Sequence, residues 1–448
     1  MKKTPFLLLI GFTILLSACQ IDDPMINDYD TRLQQSLQAI GGSDWQADFT
    51  LPDSDDFSAI PQDPRNPLSE EKVALGQLLF HETALALNPT HTSGEGTYSC
   101  ASCHFAGAGF QANRWQGIGD GGMGAGANGM ARTKSPDYLA PELDVQPIRS
   151  PTTLNTAFQR VMLWNGQFGA TGPNRNTEAA WTTGTPKENN HLGYEGLETQ
   201  AIAGLGVHRI VIDYDRMEDL GYIERFDQAF PEIEKPQRYS TEMAGLAIAA
   251  YERTLFANEA PFQQWLRGDR QAMTEIEKQG AMLFFGKAQC APCHGGPALN
   301  SEAFHAFGMK DLDQIAEETF MTPSNAVEHR GRGGFTGNPA DNYKFKVPQL
   351  YNLSDSPFLG HGSSLRSIRE VVAYKNTGIP ENSRVPEQAL SNHFRPLGLT
   401  EQEVDAITVF LESALHDDNL TRYQPDQILS GNCFPFADPM AKVDMGCQ

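Results

Sequence analysis

The pattern of apolar and polar positions predicts a helix over residues 68–80, in the stretch "LSEEKVALGQLLF". Its apolar residues fall at helical spacing, Ser69 can cap its start, and Glu70 and Glu71 lie in its first turn. A second amphipathic helix is predicted over residues 399–415, where the sequence begins with a capping box. Both patterns favour a mainly α-helical fold.

The chain also repeats a set of features in the same order. A Gly-x-x-Leu-Phe run occurs at residues 76–80 and again at residues 280–284. Each run is followed by a Cys-x-x-Cys-His motif and then by a proline-containing element that ends in asparagine, at residues 150–155 and 347–352. Because similar features recur in the same order, the sequence predicts that one unit is duplicated to give two tandem domains.

The Cys-x-x-Cys-His motif is typical of c-type haem attachment, in which two thiols bind the haem vinyl groups and the histidine binds iron. Zinc binding and a thioredoxin-like redox pair are the alternatives, but zinc requires more clustered ligands and a redox pair does not require the histidines. The sequence therefore predicts two covalently bound haem c groups, with His104 and His294 as proximal ligands. The attachment cysteines are Cys100, Cys103, Cys290 and Cys293.

These features divide the chain into five predicted segments. Residues 1–19 form a lipoprotein signal peptide, and residues 20–67 form a tether with some ordered contacts. Residues 68–258 and 259–424 form two cytochrome c-like domains with long loops, one haem in each. Residues 425–448 form a C-terminal tail.

The N-terminus has two lysines, an apolar run from Phe6 to Leu16 and then small residues, which is typical of a signal peptide. It ends in Leu-Ser-Ala-Cys and resembles a bacterial lipoprotein cleavage box, which implies lipidation of Cys19. Gln20 does not signal retention in an inner membrane. We therefore expect a lipid anchor on the periplasmic face of a Gram-negative membrane, with the outer membrane favoured. A plain secreted protein is the alternative.

Two of the seven cysteines, Cys433 and Cys447, have no role in the motifs or the anchor. An exported protein occupies an oxidising compartment, so this pair predicts a disulfide that closes the tail.

The formal net charge of the 448-residue chain is −22. A surface of this sign repels nucleic acid and anionic membranes and favours a basic protein partner. The charge therefore argues against nucleic-acid binding and leaves the lipid anchor as the predicted membrane contact.

The arrangement over residues 68–422 resembles the bacterial di-haem cytochrome c peroxidase/MauG family. The resemblance is carried by "LGQLLF", both haem motifs, "RSPTTLN", "LWNGQF", "LETQA", "YKFKVPQLYNLSDSPFLGHGSS" and the terminal helix. It implies that the N-terminal haem reacts with peroxide and that the C-terminal haem relays electrons. Many peroxidases of the family block the first haem with a histidine from the loop after the first motif. Here no histidine lies between His104 and His191, so we predict an open distal face, with Met123 and Met130 as possible ligands.

The resemblance also implies residue roles around the first haem. In this family a tryptophan lies between the two haems, and it matches Trp164. The alternative is that Trp164 is an ordinary aromatic residue of the core. The family's distal glutamine matches Gln200. A catalytic glutamate is expected about ten residues further on, but this sequence has no carboxylate there. We predict that His208 takes its place, since histidine titrates near neutral pH. Glu195 and Glu198 are the alternatives.

The distal ligand of the second haem is expected before the terminal helix, where His393 is the nearest candidate. Met309, Tyr351 and Tyr374 are its rivals. The family also binds calcium between its domains, but its asparagine there is replaced by Arg149. Because a guanidinium beside a cation is unfavourable, calcium binding is doubtful.

Three functions remain open at this point. The first is a peroxidase that reduces hydrogen peroxide to water, with electrons from a small cytochrome c or cupredoxin that pass through the second haem and Trp164. The second is a MauG-like oxidase that acts on a protein side chain or an organic molecule. The third is an electron-transfer cytochrome without catalysis.

Overall fold

The computed structural model describes residues 28–447. Thirteen α-helices lie within this range, joined by long loops with short 3-10 turns. They are α1 (Asp28–Gly41), α2 (Trp45–Phe49), α3 (Glu70–His81), α4 (Gly196–Val207), α5 (Tyr214–Leu220), α6 (Ile223–Ala229), α7 (Thr241–Arg253), α8 (Pro261–Leu266), α9 (Glu275–Phe285), α10 (Arg332–Thr336), α11 (Ile368–Thr377), α12 (Glu401–Val409) and α13 (Pro439–Met445). The signal peptide and Cys19 lie outside the described residues. No helix within the described range is long and apolar enough to span a bilayer.

The strands are few and short, as the mainly helical prediction requires. Strand β1 (Gly122–Met123) pairs antiparallel with β2 (Thr133–Lys134), and β3 (Phe304–His305) pairs antiparallel with β4 (Phe345–Lys346). The first ribbon lies in the glycine-rich loop that follows the first haem motif, residues 117–134. The second lies beside the second motif. The prediction of a mainly α fold is confirmed.

Both predicted helices form, and their starts follow from capping. In α3 the Ser69 hydroxyl accepts a hydrogen bond from the backbone N–H of Lys72. In α12 Thr400 and Glu403 form the capping box. A π-helical turn, residues 410–414, continues α12 toward its predicted end. Unpaired backbone N–H groups at each helix start are thereby satisfied, which fixes where the helices begin.

The Gly-x-x-Leu-Phe runs bring two helix pairs into close contact. Helix α3 packs on α7, and α9 packs on α12. A Cβ atom on Gly76 would overlap the carbonyl oxygen of Ala247, and one on Gly280 would overlap that of Ala406. The glycine is therefore required in both runs because the backbone of the partner helix occupies the side-chain position.

The proline-containing elements also occupy matching places. Asn155 and Asn352 both have left-handed backbone conformations, with φ of 58° and 54°. The N–H of Asn155 donates to the Leu255 carbonyl at 2.7 Å, and that of Asn352 donates to the Leu415 carbonyl at 3.0 Å. Each asparagine thus joins its loop to the end of the helix that packs on the Gly-x-x-Leu-Phe run. The repeated sequence features have repeated structural roles.

The segment predicted as a tether is more ordered than its polar composition suggests. Helix α1 packs against α9, and the side chains of Leu33, Leu37 and Trp45 are buried in the main core. The side-chain amide of Gln263 in α8 donates to the Phe49 carbonyl at 3.0 Å. From residue 28 onward this segment is part of the folded body, because its apolar residues on α1 and α2 are buried in the main core.

The C-terminal tail folds back on the first haem motif. Cys433 and Cys447 are joined in a disulfide, as the sequence predicts. The Ser102 hydroxyl donates to the Pro435 carbonyl at 2.6 Å. Asp438 forms a buried ion pair with Arg132 of the glycine-rich loop at 3.1 Å. The tail therefore holds the loop that follows the first motif.

Candidate functional site

Each motif histidine is oriented by a backbone carbonyl that follows it. Nδ1 of His104 lies 3.2 Å from the carbonyl oxygen of Phe110, and Nδ1 of His294 lies 2.9 Å from that of Leu299. This leaves Nε2 as the nitrogen available to iron, which is how metal-binding histidines are usually held. Burial lowers the pKa of both histidines to about 4, against the effect of the carbonyls. Both rings are neutral at physiological pH, the form that binds metal.

The repeated helices place an aromatic ring beside each histidine. The ring centroids of Phe80 and His104 are 6.4 Å apart, and those of Phe284 and His294 are 6.3 Å apart. These phenylalanines end the two Gly-x-x-Leu-Phe runs. The repeat therefore extends to the surroundings of the histidine that is predicted to bind iron in each motif.

The motif cysteines are unpaired thiols. Burial raises the pKa of Cys100, Cys103 and Cys290 to about 12 and that of Cys293 in the same direction. A pair of thiols followed by an oriented, neutral imidazole in an apolar setting fits c-type haem. Zinc fits less well, since the group with metal-ligand spacing in the described part of the chain includes neither motif. That group is Asp311, Asp313 and His329.

A cavity beside the first motif brings together the residues predicted for peroxide chemistry. Gln200, Gly204 and His208, from α4 and the residue after it, line this first cavity together with Cys103 and His104. Helix α4 is apolar apart from its first turn and Gln200, and most of its residues are buried. Gln200 is the polar side chain of this helix that lines the cavity.

His208 is held by a carboxylate far away in the sequence. Its Nδ1 lies 2.8 Å from Oδ2 of Asp144, which is buried in the loop after the first motif. Burial disfavours the charged ring, but the carboxylate outweighs it and raises the pKa of His208. Nε2 is then the nitrogen left to face the cavity. The neighbouring Arg209 forms an ion pair with Asp120 and does not line the cavity.

The alternative carboxylates are engaged elsewhere. Glu198 is buried and forms an ion pair with Arg253 at 2.8 Å, and Glu195 contacts the same guanidinium at 3.1 Å. Neither carboxylate lines the first cavity. Met123 and Met130 do not line it either, and Met130 is exposed. Of the residues predicted for the distal side of the first haem, Gln200 and His208 therefore line the first cavity together.

Glu252 is a residue of this cavity that the sequence interpretation missed. It lies near the end of α7, it lines the first cavity, and its Oε2 atom has no hydrogen-bond partner. Burial and the nearby charge of Glu198 raise the pKa of Glu252 to about 8. A glutamate directly after a wholly apolar helical run was the available signal, because an acidic side chain is rarely buried without a reason.

A larger second cavity surrounds the second motif and reaches the loop between the motifs. Trp164 lines it, and its indole N–H donates to the Arg149 carbonyl at 2.8 Å. The guanidinium of Arg149 is buried and donates to Gln111 and Ser356 at 2.8 and 2.9 Å. Pro151 also lines this cavity, and its carbonyl faces His104. Trp164 thus contacts the loop that contains Arg149 and Pro151, and this loop reaches from the second cavity to His104.

The predicted ligands of the second haem are mostly placed elsewhere. His393 is exposed and does not line the second cavity, because its side chain follows a surface turn and packs edge-on against His305. The hydroxyl of Tyr351 accepts a hydrogen bond from Gln263 in the core, and the hydroxyl of Tyr374 donates to a backbone carbonyl. Of the sequence candidates, the cavity contains Met309.

Lys375 is a further residue of the second cavity that sequence reasoning missed. It lies in the last turn of α11, and its Nζ atom lies 2.9 Å from the ring centroid of Phe307. Burial lowers the pKa of Lys375 to about 7, although the thiols of Cys290 and Cys293 oppose this. Its sequence signal was weak, since a lysine near a helix C-terminus is common.

The known proteins that this chain resembles are di-haem peroxidases and MauG proteins. A family model described as di-haem cytochrome c peroxidase matches residues 70–271. The chain is 28% identical to the cytochrome-c peroxidase IdrP1 of Denitromonas iodatirespirans, over 83% of this chain and 90% of that protein. It is also 28% identical to the methylamine utilization protein MauG of Methylorubrum extorquens, over 85% of each.

Two solved structures share the fold. One is a MauG-like protein associated with microbial copper homeostasis, with a TM-score of 0.54 and 24% identity over 83% of this chain and 95% of that chain. The other is the diheme peroxidase BthA from Burkholderia thailandensis, with a TM-score of 0.50 and 16% identity over 81% of this chain and 89% of that chain.

Proposed function

Because the chain belongs to the di-haem cytochrome c peroxidase/MauG family and is an oxidoreductase of the cytochrome-c peroxidase type, we propose that it reduces hydrogen peroxide to water at the first haem. Electrons would reach that haem from a small cytochrome c or cupredoxin through the second haem. The haems would be attached at Cys100 and Cys103 and at Cys290 and Cys293. A haem with an open face supplies the redox chemistry for this reaction.

The observation that carries the proposal is the pairing of His208 with Asp144 beside His104. Peroxide reduction needs a group that takes one proton from the substrate and returns it to the departing oxygen. Nδ1 of His208 is held at 2.8 Å by Asp144, so Nε2 is the atom that accepts and returns this proton. The amide of Gln200, on the same cavity wall, orients the substrate by hydrogen bonding.

Trp164 is proposed to assist electron passage between the two sites. Its indole N–H is fixed on the Arg149 carbonyl, and its ring lies edge-on to His361, with centroids 6.3 Å apart. These contacts hold the ring in one position beside the connecting loop. A fixed aromatic ring at this place favours a relay role over that of an ordinary core residue.

The test is steady-state peroxide reduction by the holoprotein with a reduced cytochrome c as donor. We expect turnover that falls with rising ionic strength, because the net charge of −22 steers a basic donor. In the oxidised protein we expect a high-spin signal from the first haem. An electron paramagnetic resonance spectrum with only low-spin haem would contradict an open first site.

A MauG-like activity is the second candidate, favoured by the equal similarity to MauG and by the partial exposure of Trp164. It would oxidise a protein side chain or an organic molecule in place of a cytochrome donor. Peroxide consumption without oxidation of reduced cytochrome c, under the same assay, would favour this candidate. The periplasmic location and the lipid anchor at Cys19 are part of the proposal, and mass spectrometry of the mature N-terminus tests the anchor.

A further inference from the structure

We propose that the side-chain amine of Lys375 is the distal ligand of the second haem, opposite His294. The inference rests on the proposed attachment of that haem at Cys290 and Cys293.

The position of Lys375 in the second cavity is the first observation. Its side chain leaves the last turn of α11 and enters the cavity that also contains Cys293 and His294. The amine is close enough to act electrostatically on both thiols and on the imidazole. It therefore faces the same space in which a haem held by this motif would lie.

The second observation is that the amine has no polar partner. Within residues 28–447 it forms no hydrogen bond and no ion pair, and its contact is with the face of the Phe307 ring. The other lysine of this cavity, Lys346, donates to the side chain of Gln159. An amine that enters a mostly apolar cavity without a polar partner is unfavourable, so a function that uses its nitrogen is expected.

The third observation is the correspondence between α11 and α4. Helix α4 packs on α7 in the first half of the chain, as α11 packs on α12 in the second. Each has a buried apolar pair four residues apart, Leu197 with Ala201 in α4 and Ile368 with Val372 in α11. Seven residues after the first member of each pair come Gly204 and Lys375.

Residues seven apart lie two turns along the same helical face. Gly204 and Lys375 thus hold the same place relative to their own cavities. Gly204 has no side chain and leaves its part of the cavity of His104 to Gln200 and His208. The side chain of Lys375 enters the cavity of His294. The residue at this one position, Gly204 in α4 and Lys375 in α11, would therefore decide whether the cavity is open or closed.

Three other side chains of the second cavity could compete with Lys375. His305 has a partner at each ring nitrogen, the Cys293 thiol at 3.6 Å and the Ser391 hydroxyl at 3.1 Å. His329 is buried 3.7 Å from the Asp313 carboxylate, and neither of its ring nitrogens has a hydrogen-bond partner. The charged groups that act on the His294 ring include Lys375 and His305. His329 and Met309, which also lines the cavity, are therefore the rivals to be tested.

An uncharged amine has a lone pair on nitrogen and can bind iron as imidazole does, and lysine loses its proton readily when buried. Ligation by two nitrogens makes the second haem six-coordinate and keeps peroxide from it. The second site would then transfer electrons only, and the reaction would be confined to the first.

The test compares holoprotein variants by electron paramagnetic resonance and near-infrared magnetic circular dichroism, after two haems per chain are verified by the pyridine haemochrome assay. The wild type should show the charge-transfer band of two nitrogen ligands at the second haem. Lys375→Arg keeps the charge but cannot bind iron, so it should convert this haem to high spin. Lys375→Met should restore low spin with a nitrogen–sulfur band and raise the reduction potential.

Lys346→Arg, Met309→Leu and His329→Phe are the controls and should keep the wild-type spectrum. A nitrogen–sulfur band in the wild type, or loss of low spin in Met309→Leu, would assign the ligand to methionine and overturn the proposal. Loss of low spin in His329→Phe would assign the ligand to His329 and would also overturn it. An unchanged low-spin signal in Lys375→Arg would also overturn it and would indicate that the amine serves as a charge. Fewer than two haems per wild-type chain would instead refute the proposed function.

Discussion

Replacement of Asp144 by asparagine tests how the first cavity sets the acid–base behaviour of His208. The Asp144 carboxylate accepts the Nδ1–H of His208 at 2.8 Å and is 6% exposed, whereas the imidazole is 36% exposed. The carboxylate raises the pKa of the ring, so its removal should lower that pKa. The acid limb of the pH profile for kcat/KM with peroxide should therefore move to lower pH.

The size of this shift follows from the contact. A hydrogen bond to a charged group contributes about 1.5–3 kcal/mol, and about 1.4 kcal/mol corresponds to one pH unit. Because more than a third of the imidazole is exposed, solvent screening reduces this contribution, and we take the lower bound. We expect a shift of about one pH unit and a loss of about tenfold in kcat/KM on the plateau, since a weaker base accepts the proton less well.

The assay is steady-state peroxide reduction from acidic to alkaline pH with the two-haem content of each variant matched. Glu142→Gln is the control, because it removes the carboxylate of another histidine pair, His91 with Glu142 at 3.0 Å, outside the cavity. It should leave the acid limb in place. His208→Ala should lower kcat/KM by about 10²–10⁴. An acid limb that stays unchanged in Asp144→Asn while His208→Ala is inactive would refute the role of the carboxylate.

Four further outcomes are expected. Gly280→Ala should destabilise the fold by about 1–3 kcal/mol in denaturant unfolding, because its Cβ would overlap the partner helix. Asp438→Ala leaves Arg132 buried without its partner and should cost about 3–5 kcal/mol, which Asp438→Asn should partly recover. Burial raises the pKa of Glu252 to about 8, so its protonated form stabilises the fold at acidic pH and this stabilisation is lost as pH rises through about 8. The melting temperature should therefore fall over this pH range in the wild type, and Glu252→Gln should not show that fall. Gly204→Lys should remove the high-spin signal and the peroxide turnover together, and retention of both would contradict the equivalence of Gly204 and Lys375.

Local signals in the sequence were enough for the helices and for the haem motifs. The caps of α3 and α12 lie within three residues of their helix starts, so a short window contains all the information. The partner of His208 could not be found in this way, because Asp144 is 64 positions away in a loop without periodicity. His393 was predicted as a ligand of the second haem, but its side chain lies outside the second cavity. Its place in the sequence before the terminal helix does not determine the direction of the side chain. Lys375 was overlooked since its position looks like an ordinary helix end.

The duplication explains both how the fold is built and why its two sites differ. Each half uses the same glycine contact, the same left-handed asparagine and the same carbonyl behind the motif histidine, so the backbone offers each haem motif the same frame. A difference in function must then come from side chains that enter the cavities. Where α4 has Gly204, α11 has Lys375, and the first cavity adds the pair of His208 with Asp144. Under the proposed function, the first half would carry out proton transfer at an open position, and the second, with its position closed by Lys375, would only pass electrons.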